Sequence, residues 1–189
     1  MSVSGLIRQT CGGGHPLLTA DAGGNFSGTL TVSGLASGAK ITGTATDGAN
    51  NTSEFGSNAT VNPPLVSLVQ SVTPSGPQRP GADLIFTFVF TNVGGLPATA
   101  YVITDPIPTH TDFKVGSATA APGTTGLTVT IEYSNDNAST WAYTPVGGGG
   151  GGPASYDRSV THVRWRFTGN LSHTAPNNTG SISLTTRIR

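Results

Sequence analysis

Residues 82–94 read Ala82-Asp83-Leu84-Ile85-Phe86-Thr87-Phe88-Val89-Phe90-Thr91-Asn92-Val93-Gly94, and this stretch decides the fold. Leu84, Phe86, Phe88 and Phe90 alternate with Ile85, Thr87, Val89 and Thr91. β-Branched and aromatic side chains fit a pleated surface, and a period of two sends one set to each face of a strand. Both sets are largely apolar, which predicts a central strand in a sheet that packs against a second sheet. Pro80-Gly81 punctuates its start, and Asn92-Val93-Gly94-Gly95 breaks it at its end.

Working outward, the same alternation predicts strands over 65–72, 99–104, 111–115, 127–133, 160–167 and 181–188, with a shorter one at 141–143. Val163, Trp165 and Phe167 share one face of their strand, which places Trp165 in the core; Ile182, Leu184, Thr186 and Ile188 share another. Asp105 precedes Pro106 and reads as the side-chain cap of a turn that closes a strand. Residues 134–137 and 176–180 read as turns, and the glycine run 147–152 as an exposed flexible loop. Seven or eight strands in this length predict a β-sandwich with Ig-like topology over residues 63–189.

The N-terminal third is shorter of pattern. Val3, Leu6 and Ile7 suit a short strand, and further strands are expected at 16–19, 26–32, 40–46 and 58–61 around turns at 21–25 and 33–38. Pro63-Pro64 is a stiff boundary between residues 1–62 and 63–189. The expected architecture is all-β: two sandwich domains in tandem, the first short of strands.

Residues 17–61 resemble the tail of a bacterial Ig-like module of large surface proteins. The matching stretches are Thr19-Ala-Asp-Ala-Gly-Gly-Asn-Phe26, Ile41-Thr-Gly-Thr-Ala-Thr-Asp47 and Asn51-Thr-Ser-Glu-Phe55. Residues 65–189 resemble the bacterial cell-surface repeat called domain of unknown function eleven. That likeness is carried by Phe86-Thr-Phe-Val-Phe-Thr-Asn-Val-Gly94, Val102-Ile-Thr-Asp-Pro-Ile-Pro108, Glu132-Tyr-Ser134, Val163-Arg-Trp165 and the closing strand 181–188. The resemblance implies an extracellular Ig-like structural module without known catalysis; the 147–152 insert departs from it.

Composition narrows the function. Nine Lys and Arg balance nine Asp and Glu, so nothing in the charge points to nucleic acid or an anionic membrane. With 27 glycines and 13 prolines the chain suits short strands and tight turns. Cys11 is the single cysteine, which excludes an intrachain disulfide. No apolar run is long enough for a transmembrane helix, and Met1-Ser-Val-Ser-Gly-Leu-Ile-Arg8 does not read as a signal peptide, so a secreted chain would be mature or a fragment.

Candidate sites are few. His15, His110, His162 and His173 are scattered without metal-ligand spacing, and no nucleophile elbow, zinc-protease or phosphate-loop motif is present, so neither enzymatic activity nor a cofactor is expected. Asp47, Asn50, Asn51 and Glu54 cluster oxygen-bearing side chains in one loop, a weak calcium candidate outweighed by an ordinary polar turn. Trp141, Tyr133, Tyr143 and Tyr156 are candidates for a sugar-stacking platform, against ordinary packing. Sequons begin at Asn25, Asn50, Asn51, Asn58, Asn137, Asn170 and Asn177.

The function expected is that of a structural subunit of an extracellular or cell-surface bacterial filament or surface assembly. It would polymerise head to tail with copies of itself, an extended segment of one completing the open sandwich of the next. The candidate donor is the segment 2–10, with Val3, Leu6 and Ile7 as interface anchors. The alternatives are a passive spacer from a large modular surface protein and a glycan-binding adhesin module.

Overall fold

In a computed structural model of the chain, residues 4–6, 17–19, 38–42, 51, 57 and 59–189 are described. The chain divides into two compact units, Met1–Pro63 and Pro64–Arg189. The protein is all-β, with several antiparallel sheets and, among the described residues, only a single 3-10 turn at Gly149–Gly151 for helical structure.

In the first unit, β1 (Ser4–Leu6) pairs antiparallel with β2 (Leu17–Thr19), Leu6 opposite Leu17. β3 (Lys40–Ile41) pairs with β4 (Ala59–Thr60), and Lys40 Nζ donates a 2.6 Å hydrogen bond to Thr60 Oγ1. The strand expected over 26–32 lies outside the described residues, as does most of the one over 40–46.

The second unit is sandwich-like. β5 (Val66–Thr73), β6 (Asp83–Asn92), β9 (Thr111–Lys114), β12 (Tyr156–Asp157) and β15 (Thr179–Ile188) form the larger sheet in the order β12-β9-β15-β6-β5, and β10 (Thr119–Ala121) also pairs with β15. β11 (Thr128–Ser134), β13 (His162–Thr168) and β8 (Val102–Pro106) make the smaller sheet, β13 in the middle. β7 (Ala98–Thr99) and β14 (Asn170–Leu171) form a short ribbon.

The 82–94 strand takes the central place predicted for it, between β5 and β15. Its even residues face the smaller sheet: Phe88 is 4% and Phe90 0% exposed, whereas Ile85 and Val89, on the other face, are 43% and 42% exposed. Ring centroids of Phe88 and Trp165 lie 6.4 Å apart, those of Phe90 and Phe167 5.0 Å, and those of Phe113 and Tyr133 5.5 Å. Trp165 is fully buried, and its indole N–H donates a 3.0 Å bond to the Thr119 carbonyl of the opposite sheet. Burying such side chains stabilises the fold by roughly 2–3 kcal/mol each, and the bond keeps the indole's one polar atom satisfied.

The details depart from the sequence reading in four places. Ala100 adopts φ 50° and breaks the strand expected over 99–104 into β7 and β8. Asp105 does not close a strand: β8 runs on through Pro106, and Asp105 pairs across from Val163. At 141–143 only an isolated bridge forms, from Tyr143 to Tyr133. Residues 147–152 form a tight turn rather than an open loop. Gly148 N donates to Tyr156 O (2.9 Å), Arg158 N donates to Gly149 O (2.9 Å), and Gly148, Gly150 and Gly151 take positive φ. Side chains are excluded there, because a Cβ on Gly147 would collide with the Ala154 carbonyl and one on Gly149 with Asp157 Oδ1.

Candidate interaction surfaces

A strand at the rim of a sheet offers unpaired N–H and C=O groups, and natural sheets guard such rims with charge, proline, bulges or brevity. Most rims of the second unit are guarded in this way. β12 has two residues and β10 three. β8 carries Asp105 and ends on Pro106, which has no N–H. β11 carries Glu132 and is bridged by Tyr143, whose N–H donates to Tyr133 O at 3.3 Å.

β5 is the exception. Val66-Ser-Leu-Val-Gln-Ser-Val-Thr73 spans eight residues with no charge, proline or glycine. Leu68 stands opposite buried Phe90, on the inward face, yet is 45% exposed, so the smaller sheet does not reach over it. Val69, on the outer face, is 63% exposed, and Leu65 just before the strand is 61% exposed. The rim thus presents hydrogen-bonding backbone together with an apolar shelf.

The charge on the larger sheet's outer face gathers at one end, where Lys114 meets Asp83 at 2.9 Å and Arg187 stands opposite Asp83, and leaves the rest bare. From β5 across β6 to β15, the outward residues opposite one another are Ser, Thr, Val and Ile, without a charged group between Ser67 and Thr73 or between Ile85 and Thr91. Hydroxyls bond across strands, Thr91 to Thr179 at 3.0 Å and Thr119 to Ser183 at 2.8 Å. The smaller sheet's outer face holds Glu132, Arg164 and Arg166, with Arg164 Nε 2.6 Å from Glu132 Oε2. That hydrogen bond holds the Glu132 carboxyl below the usual carboxylate range.

No family model, curated protein or solved structure matches the chain.

The aromatic residues singled out in the sequence do not gather into one platform. Tyr133 packs on the core, Tyr143 Oη donates to Asp157 Oδ2 (2.7 Å), and Tyr156 Oη donates to Asp83 Oδ1 (2.7 Å). The Arg164 guanidinium lies 4.3 Å from the Trp141 ring centroid, and His162 meets the same ring edge-on at 6.5 Å. An open groove of about 530 Å³, lined by Thr99, Val102, Thr130, Arg166 and Asn170 among others, holds no carboxylate, histidine or thiol.

Of the other candidates, His110 and His173 are exposed, and His15, Cys11, Asp47, Asn50 and Glu54 lie outside the described residues, as do Val3 and Ile7. Asn51 is exposed. Among the described residues no group of three or more His, Cys, Asp or Glu is placed to hold a metal ion. Leu6 belongs to β1 and is paired within its own chain.

Two buried carboxylates escaped the sequence reading. Asp157 is fully buried; Oδ2 accepts Tyr143 Oη and Val146 N (2.8 Å), and Oδ1 accepts Ser159 N (2.8 Å). Asp112, 2% exposed, accepts Arg158 through two nitrogens at 2.9 and 3.1 Å. Apart from Ser159, their partners lie 11 to 46 residues away, which no local pattern announces. Both sites are fully used in holding the 147–152 turn and β12 to β9.

Proposed function

We propose that the protein is a structural subunit of an extracellular bacterial surface assembly or filament, built by β-strand pairing between copies of the chain. The observation that carries this reading is the unguarded β5 rim, because a strand added there gains main-chain hydrogen bonds and covers the shelf at Leu68. The sequence resemblances of residues 17–61 and 65–189 to bacterial surface modules support the cell-surface setting and an Ig-like topology for the two units. Zero net charge and an uncharged patch on the outer face of β5 and β6 ease close packing of subunits. The segment 2–10 is one source of an added strand and would link subunits head to tail.

Electron microscopy of the purified chain, with and without residues 1–10, tests the proposal. Filaments that vanish on deletion support donation by the N-terminal segment. Filaments that persist retain assembly and move the contact to another strand. Dispersed monomers from both samples contradict the proposal and leave a modular spacer.

A further inference from the structure

We infer that the β5 rim pairs with β5 of a second copy, antiparallel about a two-fold axis, with Val69 facing its own counterpart. The inference rests on the reading that β5 takes a strand from another copy, and it names that strand.

The register within the sheet shows which groups are free. Val93 N donates to Leu65 O at 2.8 Å, and Leu65 leads a ladder in which Ser67 opposes Thr91 and Val69 opposes Val89. In an antiparallel ladder, alternate residues turn their N–H and C=O toward the same neighbour. Odd-numbered residues of β5 therefore bond to β6, and the main chains of Val66, Leu68, Gln70 and Val72 point out of the sheet.

Those four residues are complementary to themselves. Setting Val66 opposite Val72 and Leu68 opposite Gln70 engages all four on both strands, giving eight backbone hydrogen bonds. Sliding the register by two residues in one direction places Pro64 opposite Val72, and in the other Pro74 opposite Val66. Proline has no N–H to offer, so either slip loses bonds and the flanking prolines fix the register.

Side-chain chemistry agrees with this pairing. Val69, 63% exposed, falls at the centre of the pair in a position without hydrogen bonds, where side chains of opposing strands approach most closely. Ser67 then meets Ser71, and no charge on either strand opposes a like charge. The exposed shelf at Leu68 gains Gln70 of the other copy beside it. Residues 4–6, by contrast, are already paired with 17–19 in their own chain. A two-fold contact closes on itself, so growth beyond pairs uses a second contact elsewhere on the molecule.

Cross-linking tests the register directly. Opposed positions without hydrogen bonds have Cα atoms about 4.5 Å apart, within the span of a disulfide. In a Cys11→Ser background, Val69→Cys should give a covalent dimer under mild oxidation. Ser71→Cys, which faces Ser67 rather than itself, should cross-link at least roughly tenfold more slowly. In sedimentation, the natural chain should move from 19.1 kDa toward twice that mass with rising concentration, and Val69→Lys should abolish the shift while leaving tryptophan fluorescence unchanged. Equal cross-linking of Val69→Cys and Ser71→Cys overturns the inference. So does association that deletion of residues 1–10 abolishes and Val69→Cys does not trap, an outcome that leaves the proposed assembly standing. A natural chain that stays monomeric throughout removes both.

Discussion

Asp105→Asn should make the second unit more stable at neutral pH, although it removes one of only nine acidic side chains. Asp105 sits in β8 opposite fully buried Val163, and burial pushes its carboxyl from the ordinary 3.8 up to about 6. A folded-state pKa above the unfolded one means that stability is fully present below pH 3.8 and is lost as pH rises through 6. At pH 7.5 the charged carboxylate costs at most about 3 kcal/mol, or about 1–2 kcal/mol after allowing for partial solvent access. Asparagine has the shape of the acid without the charge, so the gain should be about 1–2 kcal/mol at pH 7.5 and close to nothing near pH 4. In a unit of this size that is a rise in Tm of about 3–8 °C. Trp141 and Trp165 are the only tryptophans and both lie in the second unit, so thermal unfolding followed by their fluorescence reports on it alone. A variant less stable at pH 7.5 would refute the reasoning by showing that a group in the fold favours the carboxylate, and a gap that persists at pH 4 would refute it by showing that the gain does not come from removing the charge.

Further outcomes follow from the packing. Gly149→Ala should destabilise by about 2–3 kcal/mol in denaturant melts, because its methyl meets Asp157 Oδ1; an open loop would tolerate the change without cost. Asp157→Ala should cost about 3 kcal/mol in the same assay, stranding Tyr143 Oη and two backbone N–H groups. Trp165→Ala should cost about 3–5 kcal/mol, combining a core cavity with loss of the bond to Thr119 O. Thr87→Val, in the uncharged part of the outer face, should stay within about 0.5 kcal/mol of the natural chain in the same melts.

How far the fold could be read from the sequence depended on whether its signal was local. The alternation at 84–90, the shared faces of Val163, Trp165 and Phe167, and that of Ile182 and Leu184 are properties of single strands; Phe88, Phe90, Val163, Trp165, Phe167, Ile182 and Leu184 are buried, and Leu84 and Phe86 partly so. What escaped depends on partners far along the chain. β10 and β12 are two or three residues long and exist because β15 and β9 lie beside them. The glycine run looked like a loop because glycine is usually flexible. Here its lack of side chains is what lets the backbone close over Asp157. Asp105 before Pro106 looked like a turn because that pair often is one, yet ladder bonds to β13 carry the strand past it. The β5 rim was legible as a strand but not as a rim, since strand order is set by the whole sheet.

Backbone hydrogen exchange along β5 tests the central claim most directly. Alone, the chain should protect the amides of Ser67, Val69, Ser71 and Thr73, which face β6, and leave those of Val66, Leu68, Gln70 and Val72 to exchange freely. As concentration rises, strand pairing should bring the second set under protection while the first changes little. Unchanged rapid exchange of Leu68 and Gln70 at concentrations where the chain associates would contradict the account, because the copies would then be meeting somewhere other than β5.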